Sequence, residues 1–267
     1  KVFDQVKGAN EWYKCDLEPI KAAIKAAKLG RESLNSGQIT HHQTPIIFRP
    51  DQLDAIHVTE KQFKKGNRML WNAKMRFGKT LTALQVVKDE KYNKTLILTH
   101  RPAVDEGWFN DFNKIFYDSP QYHYGSRSKG ENFKSLLQSA EKGDKFVYFA
   151  SMQDLRGSEL VGGKFNKDTD IFQTDWDMLI VDEAHEGTKT EHGTNVIHEL
   201  TNSSTKVLQL SGTPFNLIDD YQENEIFTWD YIMEQKAKAE WDITNWGDPN
   251  PYESLPAINI YTYDLGK

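Results

Sequence analysis

The sequence predicts an α/β fold, a mostly parallel sheet with helices on both faces. Three observations carry that prediction. Short apolar runs alternate with stretches of helical spacing from Ile46 to about Trp229. One of these runs leads into the P-loop-like Ala73-Lys74-Met75-Arg76-Phe77-Gly78-Lys79-Thr80, and another ends in Asp182-Glu183. Parallel strands covered on both faces read as near-continuous apolar runs, and they need crossover segments of a dozen or more residues between them.

The chain divides into three parts. Residues 1–45 form a polar N-terminal segment with one helix predicted over Leu17–Leu29, because Ala22, Ala23, Ala26 and Ala27 alternate with Lys21, Lys25 and Lys28. The lysine stripe suits a solvated face and also suits contact with nucleic acid. Residues 46–229 form the alternating α/β part, with candidate strands Arg68–Trp71, Thr95–Leu98, Phe146–Ala150, Met178–Val181 and Lys206–Ser211. Residues 230–267 pair a charged, helix-like run with a loop bearing Pro249, Pro251 and Pro256, followed by a strand-like Ala257–Tyr263.

The motif chemistry is that of a nucleoside triphosphatase. Ala73 to Thr80 fits G-x-x-x-x-G-K-[ST] with Ala73 at the opening position. Gly78 permits close backbone approach to a phosphate chain, Lys79 supplies an ammonium, and Thr80 supplies a hydroxyl for Mg2+. The backbone of Lys74, Met75, Arg76 and Phe77 forms the rest of the cradle. Leu81 to Val87 has helical apolar spacing, so a helix opening at Gly78 aims its positive end at the phosphates. By itself Gly78-Lys79-Thr80 also suits a lysine-rich surface turn. The second run weighs against that reading. Met178–Val181 is an apolar strand ending in Asp182-Glu183, where open α/β sheets bind ligands. Asp182 is then placed to hold magnesium and Glu183 to polarise the attacking water.

Composition narrows the class only loosely. The chain has 267 residues, 38% of them hydrophobic and 12% aromatic, enough to build a core and to exclude intrinsic disorder. A net charge of −6 carries no general nucleic-acid signature, although a local basic face weighs more than the sum. The single Cys15 excludes an intrachain disulfide framework and suits the cytoplasm. No apolar run is long enough for a membrane span, so a membrane role is not expected. A chain opening on Lys1 reads as a piece of a longer protein.

Taken together, the runs resemble the first RecA-like lobe of superfamily 2 helicases and translocases, and most closely the DEAH-type motor lobes of type III and type I restriction enzymes. The resemblance covers roughly Ile46 to Trp229, and the order of the motifs is its specific part. It implies an ATP-dependent DNA motor using ATP and Mg2+. Phe48-Arg49-Pro50-Asp51-Gln52 has the form that recognises adenine, with Arg49 and Gln52 as the base readers. Thr99-His100-Arg101-Pro102 and Ala150-Ser151-Met152-Gln153 look like nucleic-acid motifs, giving Thr99, Arg101 and Ser151 as contacts. Taken singly, either is also ordinary turn chemistry. Ser211-Gly212-Thr213-Pro214 has the form of the motif that couples ATP state to movement, and His185 would join it to the triphosphate through Ser211 or Thr213.

The departures and absences bear on this reading too. Arg76 and Phe77 stand where many relatives carry glycine and a small residue, so the loop is expected to keep φ negative at Arg76 and to project its side chain outward. In the family, arginine fingers come from a second RecA-like lobe, in a motif near Q-x-x-G-R-x-x-R that does not occur in this sequence. One such finger contributes about 10³–10⁵ in rate. The lobe alone is therefore expected to bind ATP and hydrolyse it poorly, with residues 230–267 leading towards the missing lobe. A methylase or specificity partner is possible in this family. The alternative function is a nucleotide-gated nucleic-acid-binding module that does not translocate. Two further near-motifs carry less. Pro50-Asp51 with Asp89-Glu90-Lys91 has the letters of a nuclease motif, but its second half ends the helix leaving the P-loop. Asp248-Pro249-Asn250-Pro251-Tyr252 approaches a DPPY motif, but Asn250 interrupts it and a proline-pinned loop explains it.

Overall fold

The computed structural model describes residues 4–5, 13–14, 46–163, 168–185 and 191–257. The chain divides into two compact units, Lys1–Ile46 and Ile47–Lys267. In the first, Asp4–Gln5 and Tyr13–Lys14 form a short antiparallel ladder. The helix expected over Leu17–Leu29 lies outside the described residues, as do residues 258–263 of the strand expected at the C-terminus.

The second unit is built on seven strands: β1 (Arg68–Ala73), β2 (Lys94–Thr99), β3 (Tyr122–Gly125), β4 (Lys145–Ser151), β5 (Met178–Asp182), β6 (Lys206–Ser211) and β7 (Ile226–Trp229). They lie in the order β3-β4-β2-β5-β6-β1-β7, and every pairing is parallel. The α/β class with a parallel sheet therefore holds. The five expected strands are all present, and β3 and β7 are additional. Both are four-residue strands at the sheet edges, each pairing with a single neighbour. An edge strand buries less, so β7 carries no continuous apolar signal and only Trp229 in it is buried.

Helices cover both faces. On one face α1 (Pro50–Phe63), α2 (Lys79–Asp89) and α3 (Asp105–Ile115) pack against one another. On the other lie α4 (Phe133–Glu141), α5 (Met152–Arg156), α6 (Thr169–Phe172) and α7 (Glu191–Leu200). Strand parity explains the two-sided burial. Leu96, Leu98, Leu179 and Val181 join the core under α4–α7, while their neighbours Ile97 and Ile180 point the other way and are equally buried. Each such side chain contributes about 1.5–3 kcal/mol on burial, which is why these central strands lack polar alternation. After β7 the chain enters α8 (Tyr231–Thr244), capped by the Asp230 carboxylate accepting from the Met233 N–H at 2.8 Å. No helix among the described residues is long and apolar enough to cross a membrane.

One consequence of the strand order positions the site. β5, β6 and β1 are neighbours, so the turns leaving their carboxyl ends meet in space although they are far apart in sequence.

Candidate nucleotide site

The first of those turns leaves β1 at Ala73. The Lys74 N–H donates to the Trp229 carbonyl of β7 at 3.0 Å, so the loop starts as an extension of the sheet. The chain then reverses onto α2 through two residues of positive φ, Arg76 at 67° and Gly78 at 88°. The expectation of negative φ at Arg76 is thus overturned. The cause is Phe77, whose ring is fully buried against Trp71 and Phe227, with centroids 6.1 and 5.8 Å away. Bringing that ring inward within so short a turn forces its neighbour left-handed, at a cost of about 1–3 kcal/mol. The Arg76 side chain is exposed, as the sequence led us to expect.

Phe77 acts in the loop through its carbonyl. It accepts from Arg49 Nη2 at 2.8 Å and from Gln52 Nε2 at 2.9 Å, tying the N-terminus of α1 to the cradle. Gln52 is buried, and its Oε1 also accepts from the Arg49 N–H at 2.9 Å, so this side chain satisfies the N–H that precedes α1. Gly78 has no room for a side chain, because a Cβ there would lie 2.7 Å from Gln52 Nε2. Both the left-handed backbone and this close approach call for glycine.

Lys79 opens α2. Its Nζ donates to the Ala73 carbonyl at 2.7 Å, with the Lys74 carbonyl at 3.4 Å. Burial pulls the ammonium below the ordinary lysine value, while Glu183 and Asp182 oppose that shift. Thr80 follows, half-buried on the first helical turn. Facing them, Asp182 ends β5. Its Oδ2 accepts from Trp108 Nε1 at 3.1 Å and its Oδ1 from the Glu183 N–H at 3.0 Å. Burial raises its carboxyl above the usual range, the Trp108 hydrogen bond lowers it, and the Glu183 charge adds to the rise. Glu183 has a φ of 50°. His185 Nδ1 lies 3.4 Å from Glu183 Oε2 and 2.8 Å from Ser211 Oγ at the end of β6. Ser211 Oγ in turn accepts from the Thr213 N–H at 3.1 Å. A Cβ on the intervening Gly212 would stand 3.9 Å from Lys79 Nζ, so this turn closes the cluster against the P-loop.

Not every residue singled out in the sequence has its side chain in the cluster. Lys74 directs its ammonium to Glu234 of α8 at 2.6 Å, and Met75 is exposed. Thr99 and Ser151 end the paired strands β2 and β4 in register, yet both are buried. Thr99 Oγ1 accepts from the Arg101 N–H at 3.1 Å, and Ser151 caps α5 by accepting from the Asp154 N–H at 3.2 Å. Of the three, only Arg101 is exposed. Nearby, the Asp105 carboxylate accepts from Tyr124 Oη and Ser126 Oγ at 2.7 Å each and from Ser128 Oγ.

Two residues of the site were missed at the sequence level, Trp108 and Glu234. Neither sits in a motif, and each meets its partner across the fold. A cavity of about 430 Å3 opens elsewhere, between α7 and the amino ends of β1 and β6 beside Asn67, Arg68 and Tyr221. It lies at the opposite edge of the sheet from Lys79 and Asp182.

A family model for the type III restriction enzyme res subunit matches residues 45–216. A curated relative, the putative type II restriction enzyme and methyltransferase RM.MpnORF110P C-terminus of Mycoplasma pneumoniae, is 27% identical over 265 residues, covering 82% of this chain and 36% of the relative. Among solved structures, the Sulfolobus solfataricus SWI2/SNF2 ATPase core in complex with dsDNA matches with a TM-score of 0.51 at 18% identity, over 70% of this chain and 36% of that one. The Type ISP restriction-modification enzyme LlaGI, as a nuclease-deletion mutant with a DNA substrate mimic, gives 0.49 at 17% identity, over 75% and 23%. The chain thus spans about a third of the length of the curated relative it matches.

Proposed function

The chain belongs to the family of the type III restriction enzyme res subunit, and on that premise we propose that it is the ATP-binding motor lobe of a restriction-type DNA helicase or translocase. The observation that carries this is the path of contacts from Asp182 through Glu183 and His185 to Ser211 and Thr213, with the buried Lys79 ammonium in the field of both carboxylates. A bare phosphate site would need only its first members.

The residues present fit ATP and magnesium. Lys79 is held by neutral carbonyls that it can exchange for phosphate oxygens at little cost. Gly78 leaves the backbone open, and the Thr80 hydroxyl and Asp182 carboxylate are hard oxygen donors suited to Mg2+. Magnesium, when bound, supplies charge neutralisation at the phosphate oxygens. Trp108 fixes the Asp182 carboxylate in orientation. Glu183 is positioned to take the proton of the attacking water, its strained backbone setting its direction. Arg49 and Gln52 stand at the base-recognition end of the cradle.

DNA is proposed to run along the carboxyl edge of β2 and β4, with Arg101 reaching its phosphates. Thr99 and Ser151 shape the turns there through their buried hydroxyls. A second RecA-like lobe would supply the arginine fingers, and the name of the Mycoplasma relative fits a methylase in the same protein or complex. The proposed setting is cytoplasmic.

The test is ATP turnover by the full-length protein with and without DNA. Stimulation by DNA, with displacement of a roadblock or strand, is expected. ATP binding without any stimulation would favour the alternative, a nucleotide-gated binding module.

A further inference from the structure

We infer that Glu234 and Tyr252, both carried by the segment after the last strand, are positioning residues that hold the two ends of the nucleotide cradle in shape. This rests on the reading of the P-loop as an ATP site and assigns that site two supports outside its motifs.

At the phosphate end, Glu234 lies one turn into α8 and is completely buried. Its Oε1 is 2.6 Å from Lys74 Nζ, and its Oε2 has no hydrogen-bond partner among the described residues. The Lys74 ammonium also sits 5.5 Å from the Tyr231 ring centroid. Lys74 is the first residue of the P-loop turn, so this ion pair fixes where the cradle begins. It also decides what Lys74 does. Were its ammonium to leave for a phosphate oxygen, Glu234 would remain as a buried and unpaired carboxylate, which is the costly way to break such a pair. Lys74 is therefore an anchor, and Lys79 is the ammonium left for phosphate.

At the base end, Arg49 makes a two-pronged pair with Asp51, Nε to Oδ1 at 3.2 Å and Nη2 to Oδ2 at 3.1 Å. The same Nη2 reaches the Phe77 carbonyl, and the guanidinium lies 5.9 Å from the Tyr252 ring centroid. Tyr252 is buried, stacks on Trp229 at 6.2 Å, and turns its hydroxyl to the Asp51 carboxylate. It is too enclosed to touch a nucleotide and acts through Arg49 and Asp51.

The two supports move as one piece. Asn250 Nδ2 donates to the Lys238 carbonyl at 2.9 Å and to Asp242 at 3.0 Å, and Lys238 Nζ returns to the Glu253 and Leu255 carbonyls at 2.9 Å each. The turn bearing Tyr252 is thereby pinned to the helix bearing Glu234. A shift of this piece alters phosphate geometry and base geometry together.

The experiment measures ATP and GTP turnover by the full-length protein, alongside thermal unfolding. Glu234→Gln is expected to raise KM for ATP about tenfold with kcat changed less than about threefold. The neutral pair Lys74→Met/Glu234→Leu, which leaves no buried charge exposed, is expected to recover KM to within about threefold of the parent. Tyr252→Phe is expected to lower ATP over GTP preference about fivefold. A Glu234→Gln KM within twofold of the parent, a double variant as weak as Glu234→Gln, or a lowered unfolding temperature with KM and base preference unmoved would each overturn the inference. If Glu234→Gln does not fold, the double variant and Tyr252→Phe decide. Lys79→Ala separates the two levels. If it abolishes ATP binding while the other variants are silent, only this inference fails, whereas retained binding removes the P-loop reading and the inference with it.

Discussion

The carboxyl edge of the sheet carries two polar clusters built on opposite principles. Around β2, β3 and β4, the cluster of Asp105, Ser151 and Thr99 is matched: Asp105 takes three hydroxyl donors, Ser151 caps α5, and Thr99 holds the turn at Arg101. Around β5, β6 and β1 the backbone is strained and the charges are shifted. Arg76 and Glu183 hold positive φ, Lys79 rests on its own loop carbonyls, and burial shifts both Lys79 and Asp182 towards their neutral forms. Buried polar groups are ordinarily satisfied, and strain persists only where the surroundings enforce it. The contrast separates a cluster of ordinary polar pairing from one that carries backbone strain and shifted charges.

Substitutions on the two sides should therefore fail in different ways. The largest effect is expected from Lys79→Ala, which should remove ATP binding from calorimetric detection while leaving the denaturation midpoint close to the parent's. An unfolding-coupled loss would blur the contrast. Next, Glu183→Gln in the full-length protein should keep ATP bound and slow turnover by about 10²–10⁴; turnover at the parental rate would remove Glu183 from its role. On the matched side, Asp105→Ala strands three hydroxyls and should cost about 3 kcal/mol in urea unfolding. ATP affinity measured in the same preparation should stay within about twofold. The smallest effect is expected for Ser151→Ala, a lost helix cap worth about 1 kcal/mol. A change in DNA affinity larger than that loss explains would return Ser151 to the role of direct contact.

Much of this site was legible in the chain. Gly78, Lys79, Thr80, Asp182 and Glu183 stand in motifs whose chemistry follows from residue type and local spacing, and the five interior strands announced themselves by short, mainly apolar runs. The edge strands β3 and β7 did not: β3 is buried but written in Tyr, His and Gly, and β7 is mostly half-buried. Arg76 was misjudged, since its φ is set by where Phe77 must pack and no neighbour in sequence reports that. The Thr99 and Ser151 hydroxyls looked outward by motif and instead turn inward, one to its own turn and the other to a helix cap.

The sequence by itself determined the class of fold, the order of the motifs and the chemical groups of the proposed nucleotide site, all of which depend on residues within a few positions of one another. Tertiary structure alone decided which turns meet. Trp108 reaches Asp182 across 74 residues and Lys74 reaches Glu234 across 160. Such pairs are fixed by strand order and by the burial of whole faces, and a short-range pattern carries no record of either.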